Sequence, residues 1–384
     1  MAERKRIVLN CQGGYNFSAG LVIYILNIIR SFKLLDDSLR PHLIIIVSAN
    51  SPINEIKEIN YPYVEYYRFR PFKRTFVKLA INKVIKTIFG KYLIKRYSFP
   101  KNFDTLYPYF ECEETFYFKK RMYWKPDFQE QYFPQYIPKA EQEFVNSEMK
   151  KIAANKDYTL VLSSKNALND FKKFYGPHVN ELKLLRFLSL LPDISKIDPD
   201  RILKKYNISK KYFLVANQFW PHKNHMLIAE AMKEVYKTNP DFQIVMTGKK
   251  TSYRDKMYLT KIEKYLIDNG LDKNVKLTSF ISREDQLVLM KNSLAVIQPS
   301  LFEGWSTVIE DCKALNHFVI ASDLDVNKEQ IDTNVLFFDR QSATDLADKM
   351  KSVLNGETTI VPYDYSKNIE EFKNNLVDVF ELNK

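Results

Sequence analysis

The stretch "LAVIQPSLFEGWSTVIEDCKALNHFVIASD", residues 294–323, decides the fold. It reads as a short buried strand, a turn of small residues, a helix and a second buried strand. Strand, helix and strand in that order form the repeating unit of a parallel sheet covered on both faces. Carboxylates stand at both ends of the turn, with Glu303 before it and the neighbours Glu310 and Asp311 after it. Ser306 or Thr307 can cap a helix beginning near Val308, and acids early in a helix complement its positive end. Capping accounts for Glu310 and Asp311. It leaves Glu303, Gly304 and Trp305 unexplained.

Working outward, the same alternation continues upstream. "YFLVAN", "HMLIAEAMKEVYK", "FQIVMTG", "YLTKIEKYLIDNG", "VKLTSF" and "REDQLVLMKNS" follow one another as strands and helices. Together they predict a doubly wound α/β sheet. Nearer the start, the strand "RIVLNC", the loop "QGGYNFSAG", the apolar-periodic "LVIYILNIIRSF" and the strand "HLIIIVSAN" predict a second parallel sheet. "YTLVLSS" and "LKLLRFLSLL" add two strands around a helix near 166–175. The polar "PDISKIDPDRILKKYNISKK", with two prolines, is the expected linker. A chain of 384 residues suits two domains. The expected boundaries are 1–194, 195–365 and a terminal helix, 366–384, packing back toward the first domain.

The composition narrows the function classes. Hydrophobic residues make up 45% of the chain, yet no apolar run approaches a membrane span. "MAERKRIVLN" passes from charges straight into a strand, which does not read as a signal peptide. Cys11, Cys112 and Cys312 are odd in number and lack metal-ligand spacing, and the five histidines form no His-Glu-x-x-His pattern. Reduced thiols and a cytoplasmic location are expected. The net charge of +12 asks for an anionic partner, whether nucleic acid, a membrane surface or a phosphorylated substrate.

In doubly wound sheets ligands bind beyond the carboxyl ends of the strands. Lys223 follows "YFLVAN", Gly248 follows "FQIVMTG" and Glu303 follows "LAVIQPS", so three strand ends carry candidate ligand groups. A lysine just ahead of a helix adds its charge to free backbone N–H groups and suits a phosphate. Alone, Lys223 would be an ordinary solvated loop residue.

Five segments then occur in order: "VANQFWPHKNH", "VMTGKKTSYR", "VKLTSFISREDQLVLMKNS", "IQPSLFEGWSTVIEDCKAL" and "SDLDVNKEQ". Their order resembles the carboxyl-terminal half of retaining family 4 glycosyltransferases. The likeness is strong over 212–338, and upstream "YWKPDFQEQYFPQYIP" resembles a segment of some bacterial members. The resemblance implies the GT-B fold, two Rossmann-like doubly wound domains facing across a cleft. It implies a UDP-, GDP- or dTDP-sugar donor, no other cofactor and no metal. Glu303 would contact donor-sugar hydroxyls, and Asp311, eight positions on, or its neighbour Glu310 would hold the ribose. A carboxylate accepts two hydroxyl donors at once, which suits a diol. Backbone N–H groups of Gly304, Trp305, Ser306 and Thr307 would reach the diphosphate, and Lys223 would neutralise it as it leaves. Gln218 stands where the family usually has Arg, so half of the cationic clamp is either missing or supplied from elsewhere, with Lys249 and Arg254 as the candidates. Thr247 and Gly248 would form the wall under the nucleotide, and the backbone at Phe280 and Ile281 would meet the base. Gly13 and Gly14 would let the backbone approach the donor phosphate or the acceptor. Asp127 and Glu130 would line the acceptor side.

The segment 68–101 carries many cations and no acid. On a helix, Lys78, Asn82, Lys83 and Lys86 share one side and Val77, Ile81, Val84, Ile85 and Ile88 the other. It reads either as an element lying on an anionic membrane or as a domain helix with a solvated basic face. With the resemblance, the expected acceptor is a lipid-linked glycan of a surface polysaccharide or lipopolysaccharide, and the expected place the inner face of the cell membrane. A sugar-nucleotide 2-epimerase of the same fold and a non-catalytic basic module that binds membrane or nucleic acid are the alternatives. Neither Lys223 nor Glu303 has been lost, which speaks against a dead enzyme and against nucleic acid as the partner.

Overall fold

The computed structural model describes residues 4–12, 15–68, 75–94, 99–100, 103, 105–112, 115–118, 120–209, 211–250 and 255–383. Two parallel sheets organise them. The first has strands β1 (Arg6–Cys11), β2 (His42–Val47), β3 (Val64–Arg68), β4 (Thr105–Tyr107), β5 (Lys120–Lys125), β6 (Tyr158–Leu162) and β7 (Glu181–Leu184), in the order β3-β2-β1-β4-β5-β6-β7. The second has β8 (Tyr212–Ala216), β9 (Gln243–Thr247), β10 (Val275–Leu277), β11 (Val296–Gln298), β12 (Val319–Ser322) and β13 (Val335–Phe338), in the order β10-β9-β8-β11-β12-β13. Each sheet therefore reverses its strand order once, between β1 and β4 and between β8 and β11. A crevice opens at the carboxyl ends of the strands where the order reverses.

Both faces of each sheet are covered. Ile7 and Leu9 of β1 enter one core while Val8 enters another. Phe213 and Val215 of β8 face one core, and Tyr212 and Leu214 the opposite one. This two-residue alternation between two apolar environments explains why the strands read as unbroken hydrophobic runs. Helix ends follow local chemistry. Ser306 Oγ accepts from Ile309 N–H at the start of the helix Thr307–Leu315. Asn316, at φ 52°, ends it in the left-handed region that Asn tolerates.

The stretch read as a linker carries a helix, Pro199–Lys205, capped by Asp198 and anchored by buried Ile202 in a core of the second unit. The strand expected over 182–191 leaves its ladder after Leu184, although Leu185 and Leu188 stay in the core. The sequence pattern does not single out β3, β4, β5 or β13 as strands. β4 has three residues, and β5 is flanked by cations at both ends. The helix Ser366–Phe380 returns to the first unit, placing Phe372, Leu376 and Phe380 in one core with Ile7, Phe32 and Tyr107.

The helix Phe76–Phe89 presents the opposite arrangement to a soluble amphipathic helix. Asn82 is buried and exchanges two hydrogen bonds with the backbone of Ile94 (3.0 and 3.1 Å). Lys86 pairs with Glu111, which Lys151 also reaches at 2.7 Å. Val77, Val84 and Ile88 remain 64%, 55% and 65% exposed. The protein holds the middle of the polar side through Asn82 and Lys86, while Lys78 and Lys83 at its edges are exposed. Much of the remaining basic segment, 69–74 and 95–98, lies outside the described residues.

Candidate active site

The strand ends at the second reversal point are tied together by a chain of polar side chains. Asn217, just beyond β8, donates its amide to Gln298 Oε1 at the end of β11 (2.9 Å). Gln298 Nε2 donates to Glu303 Oε1 (2.6 Å), and Ser300 Oγ donates to the same oxygen (2.6 Å). Lys223 Nζ closes the group on that oxygen at 2.5 Å. The sequence pattern brought Lys223 and Glu303 to one site but missed Asn217, Gln298 and Ser300. All three are buried. A Gln ending an otherwise apolar strand was the one available signal.

Lys223 is placed by backbone geometry. It ends the short turn Pro221–Lys223, and Asn224 at φ 53° redirects the chain into the helix His225–Tyr236. His225 is fully buried against the ring of Phe219 (centroids 4.6 Å apart), and burial lowers its pKa to about 3. The charge at this corner therefore comes from Lys223, with the imidazole neutral.

Gly248 follows buried Thr247 at a close approach of backbones. A Cβ there would lie 2.2 Å from the carbonyl oxygen of Asn217 and 3.0 Å from Cα of half-buried Gln218. Lys249 is exposed, while Arg254 lies outside the described residues, as do Gly13 and Gly14. Phe280 is 80% exposed and Ile281 is buried in the core.

The turn after Glu303 is more occupied than its sequence implied. Ser306 N–H donates to Gln330 Oε1 (3.1 Å), leaving Trp305 and Thr307 as the N–H groups nearest the helix start. Trp305 is buried and donates its indole N–H to Glu310 Oε2 (3.2 Å). Glu310 also accepts from Gln330 Nε2 (2.8 Å) and from the Tyr365 hydroxyl (2.8 Å). Asp311 is clasped by Arg283. Both acids are buried.

The two units meet at this turn. A Cβ on Gly304 would stand 2.8 Å from the side chain of Asp127 and 2.9 Å from the carbonyl oxygen of Pro126. Phe302 packs on Tyr132 and Phe133 (centroids 5.5 and 6.1 Å). Glu329 of the second unit accepts from the N–H groups of Lys165 and Asn166 and pairs with Arg186 at 2.8 Å. Asp127 is half-buried and beside the site. Glu130, its expected partner, is buried and paired with Lys125 (3.0 Å). Asp170, which the sequence did not single out, accepts from the Tyr132 hydroxyl at 2.5 Å. Burial raises its pKa, and the charges of Asp127 and Asp325 add to the rise.

Residues 198–372 match the family described as glycosyl transferases group 1. The fold is GT-B. A glycosyltransferase of Rickettsia africae is 16% identical, with 99% of this chain and 95% of that one covered and a TM-score of 0.60. HepE of Anabaena, solved with UDP and glucose, is 14% identical over 98% of this chain and 95% of its own, with a TM-score of 0.64. WaaG, described as a glycosyltransferase involved in lipopolysaccharide biosynthesis, is 14% identical over 98% and 95%, with a TM-score of 0.58. No curated protein matches the sequence. In this GT-B chain the matched region, 198–372, contains the whole polar chain from Asn217 to Glu303.

Proposed function

We propose that the protein is a retaining glycosyltransferase that moves a sugar from a UDP-, GDP- or dTDP-sugar to a glycan acceptor. The observation that carries this reading is the Lys223–Glu303 pair at the strand-order reversal. Glu303 Oε1 is the oxygen its protein partners share, and Oε2 is the atom available to sugar hydroxyls. Lys223 and the N–H groups of the turn supply positive charge for the leaving diphosphate. Retention follows if the acceptor attacks from the leaving-group face, a route that requires no protein nucleophile. Residues 195–365 take the donor, 1–194 take the acceptor, and 366–384 lock onto the first domain. Asp127 faces the acceptor side. Thermal unfolding against a panel of nucleotide sugars tests the reading, because a ligand that binds only the folded state raises the midpoint. A rise with at least one of them is expected. No rise with any, together with salt-sensitive DNA binding, would favour the non-catalytic alternative.

Because Lys223 and backbone N–H groups carry the counter-charge, transfer is expected to survive EDTA. Loss on chelation, restored by Mg²⁺ or Mn²⁺, would place a metal at the diphosphate.

The acceptor is a lipid-linked glycan of a surface polysaccharide or lipopolysaccharide, met at the inner face of the cell membrane. The helix Phe76–Phe89 supports this, since Val77, Val84 and Ile88 are exposed beside the cations Lys78 and Lys83. Among the described residues no helix is long and apolar enough to cross a membrane. Lys86 belongs to the Glu111 cluster and not to the membrane face. Replacing Val77, Val84 and Ile88 with Ser should lower binding to phosphatidylglycerol vesicles by about 100-fold or more, since each buried aliphatic side chain contributes about 1.5–3 kcal/mol. Changing Lys78 and Lys83 to Glu should weaken it further in a salt-dependent way, each lysine near such a surface being worth about 1 kcal/mol. Vesicle binding that survives both sets of changes would make this an ordinary helix of the first domain.

A further inference from the structure

Glu329 belongs to the second unit, yet the donors on its carboxylate come from the first. Lys165 N–H donates to Oε1 (3.0 Å) and Asn166 N–H to Oε2 (3.1 Å). These open the helix Lys165–Tyr175, whose next N–H group, that of Ala167, goes to Ser164 Oγ (2.9 Å). The first N–H groups of a helix have no partner within it and are usually met by a local cap or by water. Here two of them are capped by the other unit. Arg186 Nε and Nη2 reach the same carboxylate at 3.2 and 2.8 Å, while Nη1 holds Glu371 of the terminal helix at 3.0 Å. The Glu329 side chain is only 14% exposed, so these charge-assisted bonds fix its position.

The next residue grips the turn after Glu303. Gln330 Oε1 accepts from Ser306 N–H (3.1 Å), and Nε2 donates to the Ser306 carbonyl oxygen (2.7 Å) and to Glu310 Oε2 (2.8 Å). Ser306 caps the helix Thr307–Leu315, so this buried amide holds the residue from which that helix starts. Glu329 and Gln330 close one short helix, Asp325–Gln330, and docking either of them places the other. Arg186 adds a second tie, with its guanidinium carbon 5.4 Å from the centre of the Trp305 ring in the same turn. A continuous run of contacts therefore joins a helix start in the first unit to the turn that faces the diphosphate. Gly304, in that turn, is also where the second unit comes closest to Asp127.

We propose that Glu329 is a positioning residue for sugar transfer: acting through Gln330, it sets the donor turn against the acceptor-side unit. The proposal rests on the nucleotide-sugar reading above. The groups assigned to the donor, from Lys223 to Asp311, all lie in the second unit and stay together without Glu329. The acceptor side, with Asp127, lies in the first. Losing Glu329 therefore leaves donor binding intact and loosens the approach of the acceptor to the sugar. A misplacement of about 1 Å between reacting groups can cost about 10²-fold in rate.

Glu329→Ala tests this in the full chain, and Arg186 keeps Glu371 as a partner in the variant, which spares the fold an unpaired charge. Sugar transfer should fall by about 10- to 100-fold, while calorimetric Kd values for UDP, GDP and dTDP stay within about threefold of wild type. Glu329→Gln keeps an acceptor oxygen for one of the two N–H groups and should fall between them. Ser164→Ala is the control, since it uncaps the same helix from within the first unit. Its denaturation midpoint should drop, with transfer staying within about threefold of wild type. Near wild-type transfer by Glu329→Ala, or an equal loss in Ser164→Ala, would overturn the proposal and leave the donor reading standing. If the folded wild-type protein binds none of the three nucleotides, the donor reading falls instead. X-ray scattering then still reads the docking without any substrate. The radius of gyration should be larger in Glu329→Ala than in Ser164→Ala, and equal radii would show that Glu329 does not hold the units together.

Discussion

Glu303→Gln should lower sugar transfer by about 10²–10³-fold, the usual effect of removing one group that stabilises transition-state charge. The amide is nearly isosteric, so Gln298 and Ser300 keep a carbonyl oxygen to donate to, and unfolding should shift by no more than about 1–2 kcal/mol. Lys223→Met should cost a similar factor through the leaving diphosphate. It leaves Glu303 with two neutral donors, which limits the penalty of an unpaired buried charge. Both variants should still bind nucleotide through the base. Transfer within a few-fold of wild type in either would remove the Lys223–Glu303 pair from the reaction.

The second large effect is structural in origin. Gly248 sits at φ 152°, and an added Cβ would meet the carbonyl oxygen of Asn217 at 2.2 Å and its carbonyl carbon at 2.7 Å. Every atom in the way is backbone, so no side chain can swing aside. Gly248→Ala is expected to destabilise the protein by about 2–4 kcal/mol, from overpacking added to an unfavourable φ. The relief available is movement of the β8 loop, which carries Asn217 and leads to Lys223, so donor binding should fall along with the denaturation midpoint. Gly356→Ala is the control. Its φ of 74° is equally left-handed but its Cβ would meet nothing within 4 Å, and only about 1 kcal/mol should be lost. Equal midpoints for the two variants would show that the close approach at Asn217 is not a constraint.

The second sheet was legible because its determinants are local. "FQIVMTG" and "HFVIASD" are apolar on both faces, and their turns and caps lie within a few residues of them. Strand ends in a doubly wound sheet point to the ligand by topology alone. That is why Glu303, Lys223 and Gly248 stand out in the sequence as candidates, and why the fold follows from a strand, a helix and a strand. What the sequence could not decide depends on partners far away in the chain. The sequence singles out Asp311 as a candidate for the ribose, but not that Arg283 and Ser189 reach it. Glu130 looked like a cleft residue until Lys125 paired with it. The helix Phe76–Phe89 showed a basic and an apolar side in its periodicity. Only its docking through Asn82 and Lys86 determined that the apolar side is the one left outside. Periodicity measures a residue's position around its own helix, whereas a carboxylate's free lone pairs and a helix's outward face are set by which distant donors arrive first. Those arrivals belong to tertiary packing, where both partners must be placed before either role exists.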